Sequence, residues 1–274
     1  MTGLTIVPLT PTIGAEISGV DLSRPLDVAT RTAIATALGE HMALVFHDQS
    51  FTPEQYLEAA SIFGPPMRQH YSQHNMPDYP DIGLVWHRNG QAPAEMWHTD
   101  HTNRVRPPAA TMLYGVEVPT EGGGTSVANM RAALTALPLA EQARLRTMKT
   151  VNGLDEKPDT KAEDMETFGK PIVHPMVRTH AIHGSDALYF HITKTKYIEG
   201  MTPEDSKSYL NDLLDRTIVP EIVYYHKWRK GDVLVIDDRA TMHRAHGDYD
   251  RSQARVLWRI ISEGDRPVLV PSSN

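Results

Sequence analysis

The residues with the most chemistry in this chain fall in two segments: His98 and Asp100 in Trp97-His98-Thr99-Asp100, and His243 in Asp238-Arg239-Ala240-Thr241-Met242-His243. On an extended strand, side chains two apart share a face, so His98 and Asp100 are expected to present an imidazole and a carboxylate side by side. A third ligand has to come from elsewhere in the chain, and His243 is the candidate. Two neutral imidazoles and one carboxylate on one face of an octahedron leave the opposite positions open, which is how non-haem Fe(II) oxygenases take up a cosubstrate and O2. By itself the histidine-x-aspartate triplet is a weak signal in a chain with 14 histidines; polar residues on a surface strand are its ordinary explanation. His101 competes as a ligand, although it faces the other way if the segment stays extended. His246 competes with His243 in the same manner.

Two arginines, Arg255 and Arg259, follow His243 in a strand-like run. Their spacing of four places both on one face, and the apolar Val256, Leu257, Trp258 and Ile260 between them argue for a cleft rather than a solvated basic stripe. A planar guanidinium there suits carboxylate capture. The run Glu121-Gly122-Gly123-Gly124-Thr125 makes a tight turn.

These residues need a frame to hold them. At 274 residues the chain is long for one average domain, yet barrels and sandwiches with added helices reach this size as one unit, and residues 1–274 are read as a single domain. Thr52-Pro53-Glu54-Gln55 carries an N-cap threonine, a first-turn proline and a capping-box glutamine, predicting a helix from Pro53 to Ile62. Thr202-Pro203-Glu204-Asp205 starts a second helix, with Tyr209, Leu210, Leu213 and Leu214 as its apolar stripe, ending near Arg216. Strands are expected at 43–46, 82–86, 110–116, 187–192, 221–228, 233–236 and 255–261. Arg229-Lys230-Gly231-Asp232 reads as a hairpin turn joining two of them. Many short strands with a few helices fit a mainly β fold, a jelly roll with flanking helices.

Composition narrows the function classes. A net charge of −7 argues against general nucleic-acid binding, and leaves an anionic small molecule open because local arginines decide that. No apolar run approaches the roughly 18 residues a membrane span needs, and no exported leader is apparent. Zero cysteines exclude disulfides and thiolate ligands and suit a reducing cytoplasm. The expected partner is a small molecule; self-association is left open.

Beyond these local signals, the chain from about residue 5 to 266 resembles the taurine dioxygenase/TfdA family of Fe(II)- and 2-oxoglutarate-dependent dioxygenases. The resemblance is carried by Ile13-Gly14-Ala15-Glu16-Ile17, Gly19-Val20-Asp21-Leu22, Ala43-Leu44-Val45-Phe46, the His98-Thr99-Asp100 triplet and the glycine-threonine turn. It continues through His174-Pro175-Met176-Val177-Arg178-Thr179-His180, Ile198-Glu199-Gly200-Met201, Trp228-Arg229-Lys230-Gly231-Asp232 and the Asp238 to Arg244 segment. The resemblance implies a double-stranded β-helix, the cupin-like jelly roll, with the metal at its open end. It implies His98, Asp100 and His243 as Fe(II) ligands, and 2-oxoglutarate held by Thr125 and Arg255. Arg259 matches the position that contacts the substrate anion. The loop with His70 and Tyr71 falls where the family covers its substrate; the backbone near Ala94 is expected to line the pocket. The sequence departs from the family at Ile236-Asp237-Asp238, where a tryptophan-aspartate-asparagine type sequence is usual, and at Gly124, which replaces an acidic residue.

The chemistry so implied is that of an oxidoreductase: 2-oxoglutarate and O2 give succinate and CO2 while a substrate C–H is hydroxylated, with fragmentation where that carbon bears a leaving group. Retention of Asp100 favours this over halogenation, for which related enzymes clear the carboxylate from the metal. Two other classes stay open at the level of residues. A Zn(II) hydrolase could use the same ligands with a metal-bound water, and a non-catalytic β-barrel could bind a ligand without turnover.

Overall fold

The structure is a computed structural model that describes residues 3–68, 74–86, 94–154 and 161–270. The chain opens with β1 (Thr5–Pro8), β2 (Ala15–Ser18), α1 (Val28–His41), β3 (Ala43–Phe46) and α2 (Pro53–Ala60). The Thr52 cap forms as expected: its hydroxyl accepts from the Gln55 N–H and the Gln55 side chain accepts from the Thr52 N–H. There follow β4 (Asn75–Met76), β5 (Tyr79–Trp86), β6 (Pro108–Glu117), β7 (Thr125–Asn129), α3 (Met130–Thr135), α4 (Leu139–Thr147), β8 (Lys149–Asn152), α5 (Ala162–Phe168), β9 (Ile172–Pro175), β10 (Val177–Thr179), β11 (Asp186–Leu188) and β12 (Thr195–Ile198). The last third holds α6 (Pro203–Thr217), β13 (Val223–His226), β14 (Val233–Asp237), β15 (Thr241–Ala245) and β16 (Val256–Glu263). Leu210, Leu213 and Leu214 are the buried stripe of α6, capped by Thr202.

One sheet runs β1-β2-β3-β14-β6-β16-β5-β4, and a smaller one runs β13-β7-β15. The strands β3 and β14 explain how the layers stack. Both are apolar almost throughout: Ala43, Val45, Leu234 and Ile236 enter an inner core with Val127, Met242 and Leu188 from the smaller sheets. The alternate residues Leu44, Phe46, Val233 and Val235 enter an outer core beneath Ile34 and Leu38 of α1 and Tyr56 of α2. Two sheets across one core, with helices packed on the outer face of the larger, is the expected jelly roll. The Tyr56 hydroxyl fastens α2 to the sheet at the Met112 carbonyl, 2.7 Å away. No helix of the described residues is long and apolar enough to cross a membrane.

One expectation fails. Residues 229–232 do not close a hairpin, because β13 pairs with β7 in the small sheet whereas β14 pairs with β3 and β6 in the large one. The turn, with Gly231 at φ +89°, carries the chain from one sheet to the other. Turn residues that relieve steric strain look the same in both geometries. The strand expected over 187–192 is also short: β11 ends at Leu188, and the chain leaves the sheet before His191.

Candidate metal centre

β15 carries His243, and the segment after residue 94 runs alongside it. The His98 N–H donates to the His243 carbonyl (3.0 Å) and the His243 N–H to the His98 carbonyl (2.7 Å), while Ala245 N–H donates to the Ala94 carbonyl (2.9 Å). This single antiparallel bridge sets the two rings side by side, their centroids 4.3 Å apart. Residues 98–100 are not a strand, contrary to the same-face expectation: the chain turns at Asp100, and His101 lies at φ +46°. A bridge and a turn, rather than strand alternation, bring the groups together. One candidate ligand atom from each of His98, Asp100 and His243 lies within 4.8 Å of the others. His101 and His246 are not in that group among the described residues. His246 instead meets the Ser126 hydroxyl at 2.8 Å and stacks edge-on against Tyr225.

The donor set is prepared for a cation. His98 Nδ1 is 2.8 Å from the Met96 carbonyl; since a carbonyl only accepts, Nδ1 carries the proton and Nε2 presents its lone pair. Burial, then the neighbouring His98, pushes His243 down to about 3, so its imidazole is neutral. Burial would raise Asp100, but Arg259 first and then His243, His101 and His98 outweigh it and hold the carboxyl well below its usual range.

Thr111 and Asp238 stand behind Asp100. Thr111 Oγ1 is 2.9 Å from Asp100 Oδ2 and 2.7 Å from Asp238 Oδ2. One hydroxyl donates one proton, so two ionised carboxylates cannot both be satisfied by it. Burial and the Asp100 charge push Asp238 well above the ordinary carboxyl range, so Asp238 keeps its proton, donates to Thr111, and Thr111 donates to Asp100. Held neutral, the Asp238 acid offers one donor and one acceptor, as an asparagine amide does. That accounts for Asp238 where an asparagine is usual in the family resembled. Asp237 is engaged elsewhere, binding Arg239 at 2.7 Å and His180 at 2.9 Å in the interior.

A second polar pocket is built from β7, the turn before it and the start of β16. The Trp228 indole donates to Thr125 Oγ1 at 3.0 Å, fully buried. With that lone pair engaged, the threonine O–H is free to donate elsewhere. Arg255, 1% exposed, donates Nε–H to the Gly123 carbonyl at 2.7 Å, and its Nη1 is buried with no protein acceptor. A buried guanidinium in that state needs an anion, and burial lowers it to about 10. Gly123 at φ +64° permits the approach. At Gly124, a Cβ would overlap the outer end of the Tyr225 ring, so any side chain there requires that ring to move.

Arg259 reaches the metal group itself, with Nη1 3.9 Å from Asp100 Oδ2 and its side chain 27% exposed. Leu257 enters the inner core and Ile260 the outer, which places Arg259 on the inner face of β16; Arg255 precedes the strand, and the register shifts between Val256 and Leu257. His70 and Tyr71 lie outside the described residues. Ala94 is exposed, its carbonyl taken by Ala245. Sequence reasoning missed His191, buried and 5.6 Å ring to ring from His98. It also missed Trp228 as the partner of Thr125. Neither lies in a spacing pattern that signals chemistry.

The comparisons agree with this geometry. The family model described as "Taurine catabolism dioxygenase TauD, TfdA family" matches residues 5–261. An alpha-ketoglutarate-dependent sulfate ester dioxygenase of Pseudomonas putida is 33% identical, over 97% of this chain and 91% of that one. An alpha-ketoglutarate-dependent 2,4-dichlorophenoxyacetate dioxygenase of Cupriavidus pinatubonensis is 29% identical, over 95% of this chain and 98% of that one. The crystal structure of a taurine dioxygenase from Burkholderia xenovorans superposes with a TM-score of 0.84 at 32% identity, covering 97% of this chain and 91% of that one. These relatives lend no support to a zinc hydrolase or to a non-catalytic barrel.

Proposed function

The chain belongs to the TauD, TfdA family of 2-oxoglutarate-dependent dioxygenases, and from that premise we propose that it is an Fe(II) enzyme that hydroxylates a small organic anion. The observation that carries this is the pairing of a two-histidine, one-carboxylate group within 4.8 Å with a buried arginine whose Nη1 has no protein acceptor. The first fits a divalent ion with nitrogen and oxygen ligands and open positions; the second fits the far carboxylate of a keto acid. A zinc hydrolase would have no use for the second.

In this reading His98, Asp100 and His243 hold the iron, and Arg255 with Thr125 holds 2-oxoglutarate. When bound, the metal, 2-oxoglutarate and O2 supply the oxidation of a substrate C–H, releasing succinate and CO2. The chain's own residues fix where that happens. The Thr111–Asp238 pair fixes the Asp100 carboxylate, the Met96 carbonyl fixes the His98 tautomer, and Trp228 aims the Thr125 hydroxyl. Arg259 takes the substrate's charge beside Asp100, in reach of the reacting centre. Sulfate esters and aryloxy carboxylates, the substrates in the relatives' names, define the class we infer. We read the chain as one domain that works in the cytoplasm. The test is anaerobic reconstitution with Fe(II), followed by a succinate assay over a panel of sulfate esters, sulfonates and aryloxy acids. Succinate that depends on both O2 and one of these anions supports the proposal; an iron-loaded protein that binds no 2-oxoglutarate at millimolar concentration overturns it.

A further inference from the structure

His191 sits between β11 and β12, 6% exposed, on the side of the metal group marked by His98. Its Nδ1 accepts from two backbone N–H groups, those of Thr193 (3.1 Å) and Lys194 (3.2 Å). A nitrogen that accepts carries no proton, so the neutral ring bears its proton on Nε2. The backbone thus fixes the tautomer, just as the Met96 carbonyl fixes that of His98. Among the described residues the hydrogen bonds of His191 all fall on Nδ1, and Nε2–H is engaged by none of them. A donor 5.6 Å ring to ring from His98, oriented by the main chain and unengaged among the described residues, can serve a molecule that enters the site.

The charge of that visitor is already met elsewhere. Arg259 lies against Asp100, whereas His191 lies against His98, so the two groups address the reacting centre from different ligands. With Nδ1 accepting from the backbone, the His191 ring is a neutral donor, suited to a neutral acceptor. We propose that His191 contacts the primary substrate, donating Nε2–H to an uncharged ester or ether oxygen next to the reacting carbon while Arg259 holds the anionic group. This rests on the anionic-substrate reading above and narrows it: sulfate esters and aryloxy acids carry such an oxygen, and alkanesulfonates do not.

The experiment compares hexyl sulfate with hexanesulfonate, two anions of equal chain length of which only the first has the ester oxygen. Both are titrated by calorimetry into the anaerobic Fe(II) and 2-oxoglutarate form. His191→Asn keeps an acceptor for the Thr193 and Lys194 amides, because its carbonyl oxygen stands where Nδ1 stood, while its shorter amide places no donor at the Nε2 position. The expected result is a loss of about 3- to 10-fold in hexyl sulfate affinity, with hexanesulfonate and 2-oxoglutarate affinities unchanged and partial recovery in His191→Gln. An equal loss for both anions, no loss for either, or a parallel loss of 2-oxoglutarate overturns the inference. In the unaltered protein, the His191 Nε2–H proton resonance should shift with hexyl sulfate and not with hexanesulfonate; equal shifts overturn it without any variant. If neither anion binds, the anionic-substrate reading fails and this inference fails with it, whereas unchanged affinity in His191→Asn for an anion that does bind sinks the inference alone.

Discussion

Arg259 lies on β16 and Arg255 immediately before it, four residues away, yet Arg255 is 1% exposed with its Nε committed to the Gly123 carbonyl, and Arg259 has a side chain 27% exposed beside Asp100. The pocket around Arg255 is closed by Trp228, Thr125 and a glycine turn that tolerates no added side chain. The region around Arg259 is open to solvent. A cosubstrate shared by a family calls for a pocket that does not vary, and a substrate that differs between members calls for one that can. The two arginines mark these two halves.

The sharpest way to test that division starts with what both halves share. His98→Ala, Asp100→Ala and His243→Ala should each abolish iron binding and turnover, while His101→Ala and His246→Ala retain both. Iron content after anaerobic reconstitution is the measurement, and full occupancy in His243→Ala would reassign the third ligand.

Next in size, Arg255→Ala removes a charge-assisted contact worth on the order of 2 to 4 kcal/mol and should weaken 2-oxoglutarate roughly 30- to 1000-fold. Its effect on substrate affinity should be slight. Equal damage to both affinities would mean that the two halves are one pocket.

Arg259→Ala should do the reverse, raising substrate KM about 10-fold and increasing the share of 2-oxoglutarate consumed without product, since a poorly anchored substrate misses the oxidation. Arg259→Lys should recover part of the loss, because a point charge replaces the fork incompletely. Succinate formed per substrate consumed reports the coupling; wild-type values in Arg259→Ala would break the comparison.

The smallest effect is expected at Asp238→Asn. If Asp238 is a neutral acid serving Thr111, an amide can replace it, and iron affinity should stay within about threefold of wild type, against the 10- to 100-fold typical when a group supporting a ligand is lost. A larger drop would show that Asp238 acts as an anion.

Much of this was legible in the chain itself. The 43–46 strand, the capped helix at Thr52 and the stripe of α6 are local facts, set by apolar periodicity and by side chains that cap their own backbone. The grouping of His98, Asp100 and His243 was legible too, but for a partly mistaken reason. His98 and Asp100 converge through a bridge to His243 and a turn at His101, and both depend on a partner strand remote in sequence. The turn at Gly231 misled because its residues relieve strain equally well within a sheet and between sheets. His191 was invisible: its tautomer is set by the amides of Thr193 and Lys194, and no spacing rule encodes which nitrogen a loop will engage.

The reciprocal hydrogen bonds between His98 and His243 join positions 145 residues apart, and a cation bound by both imidazoles would rivet that same junction from the side-chain side. Ligation and barrel closure would then be one event, with the free energy of the first added to the second. A chelator would act on such a protein as a mild denaturant directed at one end of the barrel, and the amide protons of His98 and His243 would exchange faster there while β3 and β14, sealed on both faces, kept theirs.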